Sequence, residues 1–114
     1  MPEPDFKLKR GDSGSSIYAI LEDGAGAPVN ILGAAVRFKM GPISGGTLVV
    51  ADDATNGQVA DGSDGSLGYV NYDWAQPVTF TGLYRAEWEV TYNDGLVVTY
   101  PNDGYNLVLV TPDL

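Results

Sequence analysis

Between Gly82 and Tyr92 the chain alternates strictly. Tyr84, Ala86, Trp88, Val90 and Tyr92 take every second position, with Arg85, Glu87, Glu89 and Thr91 between them. Period two sends successive side chains to opposite faces of a strand, so this segment predicts a sheet that is dry on one face and wet on the other. Asn93-Asp94-Gly95 then predicts a hairpin, because these residues tolerate the positive φ of a tight turn. Leu96 to Tyr100 is the return strand, and Asn102-Asp103-Gly104 is a second turn after Pro101.

The same alternation recurs upstream. Phe6 and Leu8 alternate with Lys7 and Lys9, and Val36, Phe38 and Met40 alternate with Arg37 and Lys39. Val70, Tyr72 and Trp74 alternate with Tyr69, Asn71 and Asp73, and Tyr105 to Leu109 closes the series. Ile17 to Leu21 is apolar on both faces, which predicts a strand that is covered twice or meets a partner. Thr47 to Ala51 is a short strand. Asp52 to Ser66 is the least hydrophobic stretch and reads as a long loop or an irregular edge. Regularly spaced short strands with no helical period point to an all-β fold, an immunoglobulin-like antiparallel β-sandwich of about seven to nine strands. Residues 1–5 read as an arm and residues 6–114 as a single sandwich domain.

Tyr84, Trp88, Val36 and Phe38 are the expected structural core. The Gly82-Leu83-Tyr84 step predicts a tyrosine corner, in which the Tyr84 hydroxyl ties back to nearby backbone.

Composition narrows the chemistry. The 114 residues include no cysteine and no histidine, which excludes disulfides, Cys/His zinc sites and His-activated nucleophiles. An enzyme is therefore not expected, and neither is a cofactor or a metal. Asp52, Asp53, Asp61 and Asp64 raise an all-oxygen calcium site, although their spacing fits neither the EF-hand nor the β-roll repeat. Glu87 and Glu89 share a strand face, which is also the ordinary polar face of a half-buried sheet. Arg10-Gly11-Asp12 matches an adhesion tripeptide and is equally a glycine turn. The net charge of −9 argues against nucleic acid, and no apolar run or leader argues for a membrane or a signal peptide. The basic residues gather near the N-terminus and on one strand. Phe6, Lys7, Lys9, Arg10, Arg37 and Lys39 are thus the candidate interface, and Tyr18, Tyr69 and Tyr100 are candidates for exposed contacts.

The order of motifs resembles a known family. Phe6, Gly11 and Asp12 are followed by Gly26, Pro28, Val29, Ile31, Gly33, Ala34, Val36 and Phe38. Tyr72 and Trp74 come next, then Gly82, Tyr84, Trp88, Gly95, Tyr100 and Pro101. This looks like the immunoglobulin-like N-terminal module of tailed-phage baseplate upper proteins. The resemblance implies a non-enzymatic structural protein located in the virion, a capsid decoration or small tail component. Its partners would be phage structural proteins, met in multiple symmetric copies. The chain stops at Leu114, just past the last strand, which favours a free-standing module. The alternative is a carbohydrate- or host-surface-binding β-sandwich, assisted by calcium at the acidic loop.

Overall fold

The structure, a computed structural model, describes residues 4–12, 14, 16–56, 67–74, 76–101 and 104–112. Among these residues eight strands run in chain order: β1 (Phe6–Lys9), β2 (Ser16–Ile20), β3 (Ala35–Pro42), β4 (Val50–Asn56), β5 (Tyr69–Asp73), β6 (Gly82–Thr91), β7 (Val97–Tyr100) and β8 (Asn106–Thr111). Neighbouring strands follow the order β1-β8-β6-β3-β4-β5-β2, with β7 also on β6. The all-β, immunoglobulin-like sandwich expected from the alternation is what forms.

One strand makes it two layers. Val50 to Ala54 of β4 pair with β3, and then Thr55 and Asn56 pair with β5. A strand that changes sheets in mid-course makes the corner of a sandwich. The first layer holds β1, β8, β7, β6, β3 and the start of β4. The second holds the end of β4, β5 and β2. The expected loop or irregular edge from Asp52 is corrected over residues 52–56, which continue β4 between β3 and β5. These mostly polar residues extend because their backbone groups find partners in two neighbouring strands. The remainder of that expected loop, residues 57–66, lies outside the described residues.

The pairing is antiparallel except at one edge, where β1 lies parallel to β8 with Phe6 opposite Val108. Ten-residue β6 organises the first layer. It pairs with β3 along most of its length, and its other side is shared between β8 (Gly82–Ala86) and β7 (Trp88–Thr91). The predicted hairpin closes on Gly95 at a φ of 90°, with the Tyr92 amide donating to the Leu96 carbonyl at 2.8 Å.

The core lies between the layers and is built from the inward set that the period picks out. Phe38 and Trp88 are fully buried register neighbours on β3 and β6, 4.8 Å apart between ring centroids. Tyr72 stacks on Phe38 from the opposite layer at 4.9 Å, and Trp74 meets both edge-on. Val36 and Tyr84 are buried as expected. The Tyr84 hydroxyl donates to the Thr81 carbonyl at 2.9 Å, which is the tyrosine corner.

Candidate functional site

A sandwich exposes chemistry in three places: its two outer faces, its loops and its open strand edges. The outer face of the first layer carries the charge. Lys7 and Lys9 leave from β1, Arg37 and Lys39 from β3, and Arg85 from β6, so five of the six cations share this surface. Both parts of the expected basic interface therefore meet on one face. They stand three strand spacings apart, about 14 Å, with Glu87 and Glu89 between them. Lys39 makes an ion pair with Glu89, and an Arg37 Nη atom donates to the Ala51 carbonyl at 2.7 Å. Phe6 is half-buried and packs against the core, whereas Lys7, Lys9 and Arg10 are exposed.

The loops are quieter. The Arg10-Gly11-Asp12 turn is held flat by its own backbone. The Gly11 amide donates to the Val78 carbonyl at 2.7 Å, the Val78 amide to Asp12 at 3.0 Å, and the Arg10 amide to Thr111 at 2.9 Å. Gly11 has a φ of 93°, which accounts for the glycine. Asp52 accepts the Tyr72 hydroxyl at 2.8 Å. Burial, with this bond and the Asp52 charge, pushes the Tyr72 phenol up to about 12. Asp61 and Asp64 lie outside the described residues. Among the described residues no group of three or more Asp, Glu, His or Cys could hold a metal ion. No described helix is long and apolar enough to cross a membrane.

The expected tyrosine contacts divide. Tyr18 is 51% exposed and Tyr69 is half-buried beside it, whereas Tyr100 is buried. Tyr100 faces the core opposite Trp88, and its hydroxyl meets that of Tyr92 at 2.8 Å. Period two gives Tyr100 a face without saying which one, and its pairing with β6 decides it.

The strand edges carry the strongest signal. β1 and β2 end the order of strands. β1 reads Phe-Lys-Leu-Lys, and charged lysines on an edge discourage further pairing. β2 reads Ser-Ile-Tyr-Ala-Ile, with neither charge nor proline. Among the described residues it pairs only with β5, Ile17 opposite Tyr72 and Ala19 opposite Val70. The Leu21 amide donates to the Gly68 carbonyl at 2.8 Å in the same register. By the alternation of an antiparallel ladder, Ile17 and Ala19 turn their backbone groups to β5. Ser16, Tyr18 and Ile20 then turn theirs to the open side. Tyr18 and Ile20, the latter 46% exposed, form an apolar outer surface there with Tyr69.

Beside this edge the layers part into a cleft of about 340 Å³. Ala19, Ile20 and Leu21 make one wall and Tyr100, Pro101 and Asn106 the other, with Glu22 and Asp23 at one end. β7 has an open side as well, but it is four residues long and Pro101 follows it directly. Sequence reasoning flagged β2 by its two apolar faces. It missed the cleft, because Tyr100 and Asn106 reach β2 only through the tertiary fold.

The fold and this edge define an immunoglobulin-like β-sandwich with an undefended edge strand. CopC from Methylosinus trichosporium OB3b is similar in structure, with a TM-score of 0.52 and 18% identity, covering 99% of this chain and 89% of that one. No family model and no curated protein matches the chain. The comparison corrects two expectations, the virion structural role and the virion location. The fold that this motif order describes is found in CopC, and nothing in the comparisons points to a phage particle. The physical reason lies in the motifs themselves. Gly-x-Tyr makes a corner, Trp88 fills a core and Asn-Asp-Gly turns a hairpin, so their order follows from the fold and assigns no role.

Proposed function

We propose that this chain is a non-enzymatic binding module that takes up an extended segment of a partner protein by adding it as a strand along β2. Strand addition at an open edge supplies affinity through main-chain hydrogen bonds and selectivity through alternate side chains. The carrying observation is the contrast between the two terminal strands: lysines guard β1, whereas β2 carries neither charge nor proline and no described strand covers its open side. The outward backbone groups of Ser16, Tyr18 and Ile20 offer three donors and three acceptors to such a segment. The missing histidine and cysteine, and the commitment of Glu89 to Lys39, support the non-enzymatic part of the reading.

Tyr18→Pro tests it. The Tyr18 amide faces away from β5, so proline removes no bond of the sheet and is tolerated as on other edge strands. The variant should keep its thermal transition within a few degrees and lose uptake of extended peptides, read by isothermal calorimetry. Unchanged uptake would place binding elsewhere.

A further inference from the structure

The cleft between the β2 edge and the Tyr100–Asn106 wall adds a chemical requirement to the added strand. Side chains of a strand laid on β2 alternate. Those flush with Tyr18 and Ile20 point outward, and those flush with Ala19 point between the layers. The inward ones meet Leu21 and Tyr100, both buried, across a space roughly tenfold the ~30 Å³ share of one water. An apolar side chain suits that position, since it removes this surface from water.

The end of the cleft is anionic and fixed. An Asp23 Oδ atom accepts the Ala25 and Ala27 amides at 2.9 and 3.0 Å, which holds the carboxylate in place beside Glu22. Its charge also reaches Tyr100, whose phenol is pushed up to about 12 by burial first, then by the Tyr92 hydroxyl, and last by Asp23. Five of the chain's six cations leave from the outer face of the other layer. A second copy of the chain would bring its own −9 to this edge, and like charges oppose that pairing. Resting on the strand-addition reading, we infer that the occupant is an extended basic segment of another protein. It sets an apolar side chain into the cleft against Ala19 and Tyr100, and a lysine or arginine beside Glu22 and Asp23.

Three synthetic nonapeptides test this by amide NMR titration of the whole chain. One alternates lysine with valine, one alternates glutamate with valine, and one holds the lysines and valines in separate blocks. The alternating lysine peptide should shift the amides of Tyr18, Ala19, Ile20 and Asn106 and bind at least about tenfold tighter than the glutamate peptide. Combining Glu22→Gln with Asp23→Asn should close that gap. Asparagine keeps the oxygen that accepts the Ala25 and Ala27 amides, so the turn survives. Equal affinity for both alternating peptides, with β2 amides shifting, overturns the basic segment and leaves strand addition standing. Equal binding of the block peptide, or shifts confined to β7 or to the face around Glu87, overturns both. Concentration-dependent shifts of the β2 amides without peptide make a second copy the occupant and overturn the inference.

Discussion

Tyr84 is legible as a corner residue because the reason for it is local. Gly82 sits at a φ of 116°, the chain turns into β6, and the hydroxyl finds a carbonyl three residues back. Tyr84→Phe removes one hydrogen bond from a buried ring and should cost about 1–2 kcal/mol, measured by urea denaturation; a cost near zero would remove the corner assignment. Gly68 is the opposite case, since no motif announces it. Its φ is 82°, and a Cβ there would stand 2.7 Å from the Leu21 carbonyl oxygen and 3.1 Å from that of Val29. Neither neighbour can retreat, because both are backbone atoms tied to one another: the Val29 amide donates to the Leu21 carbonyl at 2.9 Å, and the Leu21 amide to the Gly68 carbonyl at 2.8 Å. Gly68→Ala combines left-handed strain with a backbone clash and should cost roughly 2–4 kcal/mol. A thermal midpoint within two degrees of the parent would show that the end of β2 is free to shift.

Period two marks the strands where polar and apolar residues truly alternate. β3 and β6 bury Val36, Phe38, Met40, Tyr84, Ala86, Trp88 and Val90, the set that the pattern selects. It fails to choose a face where every position is apolar. Leu107 to Val110 is one such run. There, pairing with β1 and β6 on either side turns Val108 and Val110 inward. Only the first part of β4 is legible, because Asp52 to Asn56 holds a single small apolar residue, Ala54, among polar ones, and its extension depends on partners remote in sequence. The unlike edges make a prediction at this scale. Replacing both Lys7 and Lys9 by threonine keeps β1 competent to pair while removing its protective charge. The variant should self-associate at concentrations where the parent stays monodisperse in light scattering; equal behaviour would show that charge does not guard this edge.

For the molecule as a whole, stability has an alkaline limit set by buried phenols. Tyr72 and Tyr100 ordinarily titrate near 10 and are raised to about 12 in the fold. Above pH 10 the unfolded chain releases these protons and the folded one keeps them, so the unfolded state binds fewer and stability falls. The contribution is complete below pH 10 and is lost as the pH rises toward 12. Denaturant midpoints at steps between pH 9 and 12 should drop across this window, and by less in Tyr72→Phe; a flat profile would mean that the phenols titrate alike in both states. At this scale sequence and structure divide the work for a definite reason. Period, turn chemistry and the missing histidine and cysteine are properties of neighbouring residues and of composition. They determined the all-β sandwich, its aromatic centre and the chemistries the chain cannot perform. The parallel β1–β8 pair, the passage of β4 between layers, the burial of Tyr100 and the cleft it shares with β2 depend on contacts between residues far apart in the chain. Those contacts exist only once the two sheets have closed on their core, so tertiary structure alone decided which edge stayed open.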